Sequence, residues 1–477
     1  MGLLKVKGII PISSFRLSSL LRLQKDPKIA LQLFLYPNNE DDQQQSKPFR
    51  YTLRNYDLII NILGRAKMFD EMDHIVQRMH NETRFVPKEI IFCNIISFYG
   101  RASLPDQAIR VFLQIPSFHC HQTLRSVNTL LNALLDCRQF DQMMSLFLSM
   151  KELCEPDVCT YNIMMNAFST CDDLDNAWKM FDEMKRNGIE PNVVTFATLI
   201  NALCKMSCFE EAFKLKKEMV SVYRIQPNGY IYASLVKILC KMDKLSLAFK
   251  LKDEMLKSKN GVKSSVYTSL ISSLYKVGRG KEVKFLLEEM KIYGCAPVTA
   301  TYNSIIHGLC IEKDFKAAFA VIDDMENKFG RRADTVSYNT LICGLMKDGR
   351  WNEANDVFKD MPRKRCLPDI VTYRTLFSGF CAMMQLEEAA LILDEMIFKG
   401  YKPYAPSVTK FIECLCDSGD VNLLGKVVEI LAKGNVIDVL TWFAVVPIVC
   451  KNEKQLNSSS SNKLVDVLLT PRLEDYK

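Results

Sequence analysis

Four asparagines, Asn128, Asn162, Asn303 and Asn339, are each followed 29 to 31 residues later by Asp157, Asn192, Asp334 or Asp369. An amide offers a donor and an acceptor, whereas an ionised carboxylate only accepts. A pair built from the two can tell one polar edge from another, provided that the fold brings both to one face. A second set is cationic: Arg65, Arg101, Lys205, Lys241, Lys276 and Lys347 recur at one place of the same period. Such a column complements the carboxyl ends of helices or tracks a polyanion, and the two roles are compatible. Glu183, Glu218, Glu254 and Glu289 also recur; they read as a repeating solvated face rather than as acid–base groups.

Little else in the chain suggests catalysis. Histidine occurs five times and cysteine seventeen times, and no C-x-x-C pair is present. His119, Cys120 and His121 cluster, but the remainder of a metal ligand set is missing nearby. There is no GxxxxGK[ST] phosphate loop, no GxSxG elbow and no H-x-E with a following C-x-x-C. The expectation is a chain that is not an enzyme, with no metal and no cofactor.

These columns belong to an internal repeat. The stretch from Val158 reads VCTYNIMMNAFSTCDDLDNAWKMFDEMKRNGIEPN, and from Thr335 TVSYNTLICGLMKDGRWNEANDVFKDMPRKRCLPD. The same frame fits 53–88, 89–123, 124–157, 158–192, 193–228, 229–263, 264–298, 299–334, 335–369 and 370–404, with an eroded copy at 405–439. With Val158 as the first place, the twenty-seventh holds Met79, Met150, Met184, Met219, Met255, Met290, Met325, Met361 and Met396. The twentieth is mostly alanine, from Ala108 to Ala389, and the twelfth holds Cys204, Cys240, Cys310, Cys381 and Cys416. A small apolar thiol on a packed helix is the plain reading of that cysteine column.

Within a unit, apolar residues fall at three- and four-residue spacing in two blocks, the signature of two amphipathic helices. Gly278 and Gly349 lie between the blocks, where a left-handed cap is favoured. Gly188, Gly294 and Gly400 follow the second block. Pro156, Pro191, Pro227, Pro297, Pro368 and Pro403 lie between units, where no helix continues. One helix pair buries too little surface alone, so stacking must supply the core. The expected fold is all-α: an α-solenoid, a right-handed superhelix of about 10–11 helix-turn-helix units of ~35 residues.

The chain lacks the W-x2-L-G-x2-Y signature of tetratricopeptide repeats. It resembles instead the pentatricopeptide repeat family, of the plain P-class and plant organellar type. The resemblance rests on Thr160-Tyr161-Asn162, Thr301-Tyr302-Asn303 and Ser337-Tyr338-Asn339, on endings such as Asp182-Glu183-Met184, and on closures such as Pro156-Asp157, Pro191-Asn192 and Pro368-Asp369. It covers roughly residues 53 to 439. Members of that family bind single-stranded RNA, one base per unit, through two or three side chains. By resemblance, the fifth and last places read the base. Asn128 with Asp157, Asn303 with Asp334 and Asn339 with Asp369 then favour uridine, and Asn162 with Asn192 favours cytidine. Ala197 with Asn228, Ala233 with Lys263, and Thr268 with Val298 assign no base, and Asp57, Cys93 and Arg374 depart further. The implied site is U-C-n-n-n-U-U, with the six cations on phosphates. Aspartate and asparagine before a helix are also good N-caps. The fifth-place asparagine is harder to explain that way, because it lies inside a helix where its propensity is poor.

The partner expected is therefore a single-stranded organellar RNA, with protein partners in RNA processing alongside it. The alternative is a helical scaffold that binds protein along its concave face. Residues 1–25 hold five basic and no acidic residues among serines, which reads as a transit peptide, mitochondrial before chloroplast. Residues 26–52 read as a leading helix, from Lys28 to Tyr36, and a polar linker over Glu40 to Lys47; 440–477 form a tail. The net charge of +7 is mild, and no apolar run is long enough to insert in a membrane.

Overall fold

A computed structural model of the protein describes residues 12–37, 49–150, 154–258, 263–327 and 332–434. The polar linker over Glu40 to Lys47 and the tail at 440–477 lie outside the described residues. Within them all regular structure is helical: twenty-four α-helices and two short 3-10 turns, with no strand. The chain divides into two compact units, residues 1–227 and 228–477.

In the first, the leading helices of successive repeats are Leu53–Arg65, Glu89–Arg101, Leu124–Asp136, Val158–Thr170 and Val193–Lys205. In the second they are Gly229–Lys241, Ser264–Lys276, Thr299–Ile311, Thr335–Lys347, Ile370–Ala382 and Ala405–Ser418. Within each unit every leading helix packs on the next leading helix, and every second helix packs on its own partner.

Capping side chains start the leading helices. Asp157, Asn192, Asp334 and Asp369 have extended backbones and accept hydrogen bonds from N–H groups two or three residues on, groups that have no partner inside the helix. A left-handed residue stops each leading helix. Gly278 and Gly349 take this conformation, but so do Lys67, Ser103, Arg138, Asp172, Ser207, Asp243, Lys313 and Met384. Helix packing on both sides overrides the preference for glycine at that turn. Gly188, Gly294 and Gly400 end second helices with φ of 70°, 65° and 76°.

The core is the repeat written in side chains. All nine methionines of the twenty-seventh place are at most 1% exposed, and Ala108, Ala177, Ala212, Ala248, Ala318, Ala354 and Ala389 are wholly buried. The alanines let paired helices approach, and the flexible methionines fill the irregular space between pairs. Tyrosine hydroxyls tie the two helices of one repeat: Tyr161 donates to Glu183 (3.3 Å), Tyr232 to Glu254 (3.0 Å), Tyr267 to Glu289 (3.3 Å) and Tyr373 to Glu395 (2.7 Å). Three of the four glutamates of that column, Glu183, Glu254 and Glu289, thus accept from a tyrosine, whereas the repeat of Glu218 has Phe196 at that place. Lys252, almost fully buried, adds a tie between neighbouring second helices by donating to Glu289 at 2.6 and 2.8 Å.

At the amino end, Pro27–Leu35 is capped by Asp26 and packs on Leu53–Arg65. Ser14–Leu23, inside the segment read as a leader, also packs there, with Leu17 and Leu21 buried. Asn55 donates to the Ser14 carbonyl (2.9 Å) and the Ser18 hydroxyl (2.8 Å). The pair therefore stands where a further repeat would, and Ser18 occupies its fifth place.

Candidate nucleic-acid interface

In a leading helix the second, fifth, ninth and thirteenth places share one face, since 3.6 residues make a turn. On Thr335–Lys347 these are Val336, Asn339, Cys343 and Lys347. With Asp369 of the same repeat, and His307 and Val371 of the flanking ones, they line a cleft of about 530 Å³, within the range of small-ligand sites.

The fold brings each fifth-place asparagine to the last-place residue of its own repeat. Asn128 donates to Asp157 (3.2 Å), Asn162 to Asn192 (3.4 Å), Asn303 to Asp334 (3.4 Å) and Asn339 to Asp369 (3.0 Å), each time from Nδ2 to Oδ1. The last-place residue thus does two jobs with one oxygen, capping the next helix and holding the asparagine.

A third side chain joins each Asn–Asp pair. The hydroxyls of Thr160, Ser337 and Thr372, at the third place of the following repeat, donate to the Oδ1 atoms of Asn128 (2.8 Å), Asn303 (2.6 Å) and Asn339 (2.6 Å). Burial alone pushes the Asp157 and Asp369 carboxyls up. The Thr160 and Thr372 N–H and hydroxyl donors, with Asn128 and Asn339, outweigh it and hold both below the usual aspartate range. Both pairs therefore carry a negative charge at neutral pH.

The other expected readers fall as their chemistry dictates. Ala197 offers no polar group, and Asn228 caps its helix by accepting from Tyr230 N (3.1 Å) and Ile231 N (3.1 Å). Lys263 stands at a last place and lays its ammonium 4.1 Å from the centre of the Tyr230 ring. Thr268 meets the Thr301 hydroxyl at 2.9 Å. Arg65, Arg101, Lys205, Lys241, Lys276 and Lys347 are all exposed, and none makes an ion pair among the described residues. The cysteine column is not a set of nucleophiles: burial raises Cys204 and Cys381 to about 12 and Cys240 and Cys310 to about 11, so these thiols stay protonated at neutral pH.

Two columns escaped the sequence reading. One is the third-place hydroxyl. The other is the second place, where Val194, Val336 and Val371 are 51–57% exposed and Tyr230 67%. An apolar residue on an exposed helix start, repeated beside a polar pair, is the signal that could have revealed it.

Sequence patterns of the PPR repeat family match residues 123–168, 156–205, 191–241, 262–310 and 333–382, and the single PPR repeat matches 230–260, 300–328 and 371–401. Together they cover more than half of the chain. The protein belongs to the pentatricopeptide repeat family. A putative pentatricopeptide repeat-containing protein of Arabidopsis thaliana is 45% identical over 45% of this chain and 53% of its own length, so the chain spans about half of that relative. The Arabidopsis small ribosomal subunit protein mL103 (rPPR7) is 25% identical over 81% of the chain and 76% of its own length. In fold, the chain is similar to the pentatricopeptide repeat protein PPR10 of maize, solved in complex with an 18-nt psaJ RNA element: the TM-score is 0.60 at 19% identity, over 98% of this chain and 71% of that one. The cleft at Asn339 is thus a feature of a pentatricopeptide repeat array, and the Asn–Asp geometry recurs within that array rather than standing alone.

Proposed function

We propose that the array binds single-stranded RNA, one nucleotide to a repeat, and selects bases with the fifth and last places. The observation that carries this reading is that four asparagines lie hydrogen-bonded to the last-place Asp or Asn of their own repeats, with the exposed second-place Val336 and Val371 flanking Asn339. A base seated between Val336 and Val371 stacks on both while its polar edge faces Asn339 and Asp369. Such contacts are worth roughly 1–3 kcal/mol per base. The exposed cations at the thirteenth place meet the phosphates. PPR10, similar in fold, was solved with RNA, which supports the same ligand class here.

Asn128 with Asp157, Asn303 with Asp334 and Asn339 with Asp369 select uridine; Asn162 with Asn192 selects cytidine. The site is U-C-n-n-n-U-U. The protein acts by occupancy, shielding or remodelling a transcript for processing, splicing or translation, not by catalysis. It works in an organelle, the mitochondrion before the chloroplast; relatives 24% and 30% identical carry a mitochondrial designation. A leader cleaved before Ser13 leaves the packed helix Ser14–Leu23 in place. Selection of bound strands from a random RNA pool tests the reading. Both pyrimidine blocks should be enriched at that spacing, and a pool without them rejects it.

A further inference from the structure

Each asparagine of a reading pair can present either a donor or an acceptor to a base, and a residue outside the pair decides which. In the three Asn–Asp repeats the asparagine Nδ2 is turned to the carboxylate. Its Oδ1 therefore points to the third-place hydroxyl of the following repeat. A hydroxyl has one proton to give. At Thr160, Ser337 and Thr372 the asparagine carbonyl is nearer (2.8, 2.6 and 2.6 Å) than the aspartate oxygen (2.9, 2.9 and 3.0 Å). All three hydroxyls are fully buried, so water cannot replace them. Turning the amide over would set its carbonyl against a carboxylate.

The cytidine-assigned repeat is wired differently. Thr195, also fully buried, gives its hydroxyl proton to Asn192 Oδ1 at 3.2 Å. Asn162 is only 8% exposed, and its Oδ1 has no hydrogen-bond partner. A buried carbonyl without a donor carries a desolvation cost, so no bond fixes the orientation of the Asn162 amide at its oxygen.

Resting on the base-reading proposed above, we infer that the third-place hydroxyl is a positioning residue that sets base specificity. Where it engages the asparagine carbonyl, that asparagine can only donate to the base; where it does not, no bond holds the amide, which is free to turn and offer its carbonyl. A donor beside a carboxylate acceptor complements a keto oxygen and the adjacent ring N–H, the edge of uracil. A carbonyl so turned accepts a hydrogen bond from an exocyclic amino group, the N4 of cytosine. All four asparagine repeats are followed by Thr or Ser at the third place, so the division lies in what the hydroxyl engages and not in its presence.

The test uses the full chain and two synthetic single-stranded RNAs, one carrying U-C-A-A-A-U-U and one with its last U changed to C. Wild type should prefer the first by about tenfold, the size of one good bidentate contact. Thr372→Val should bring that ratio to about twofold or less, because the Asn339 amide, no longer held at its carbonyl, can then turn to accept from cytosine. Thr372→Ser should restore it, which a purely structural loss of packing would not do. Should Thr372→Val fail to fold, Thr160→Val, read at the first U, makes the same comparison. A valine variant that keeps the wild-type ratio, or a serine variant that fails to recover it, overturns the inference while leaving base-reading intact. Wild type that distinguishes neither strand overturns base-reading itself, and this inference with it.

Discussion

Asp157 and Asp369 each do two structural jobs with one carboxylate oxygen. Each caps a helix and anchors an asparagine. Because the folded pKa of each lies below the ordinary aspartate value of 3.8, both bind fewer protons folded than unfolded in the acid range. Their contribution to stability is therefore complete above pH 4 or so and is lost as pH falls through the folded value. Asp157→Asn with Asp369→Asn keeps an amide cap, as at Asn192, but removes the titration. Urea unfolding should show the double variant losing less stability than wild type between neutral pH and about pH 3. Parallel pH profiles would refute the hydrogen-bond account of these aspartates.

At the scale of the element, each repeat is a helix pair turned by a left-handed residue, with a buried alanine in seven repeats and a Tyr–Glu bond in four. The turn is the place where sequence and structure disagree locally. Eight non-glycine residues adopt positive φ there, which costs roughly 1–2 kcal/mol for each side chain. Ser207, exposed and at φ 61°, makes no side-chain contact that would be lost. Ser207→Gly should stabilise the protein by about 0.5–1 kcal/mol, once the greater freedom of glycine in the unfolded chain is subtracted. A rise in the urea midpoint would show it; an unchanged or lower midpoint would mean that packing has removed the strain.

Across the whole molecule, the thirteenth-place cations fall outside the repeats with asparagine pairs, Lys347 in the Asn339 repeat excepted. The reading repeats at 124–157, 158–192 and 299–334 carry Asp136, Thr170 and Ile311 at the thirteenth place. The repeats with Ala197, Ala233 and Thr268 at the fifth place carry Lys205, Lys241 and Lys276. Repeats that cannot discriminate a base are thus equipped to hold a phosphate. If all six column cations meet RNA, log K against log salt should slope at roughly −4. Replacing Lys205, Lys241 and Lys276 by glutamine should reduce that slope by about 2, with pyrimidine preference preserved. A slope unaffected by the three changes would take the column out of the interface.

The amino-acid sequence alone was enough for the all-helical stacked architecture and the family. Apolar spacing, proline punctuation and the methionine and alanine columns each specify the same hairpin, and repetition multiplies a weak local signal. It also marked Asn162, Asn303 and Asn339 as residues out of place in a helix. Only tertiary structure decided what those amides touch. Hydrogen bonds between Asn339, Asp369 and Thr372 join residues about thirty apart in the chain, and their direction depends on the rotation of neighbouring helices, which no local pattern encodes. For the same reason the glutamates bonded to tyrosine looked solvated in sequence, and the packing of Leu17 and Leu21 against the first repeat was not legible there.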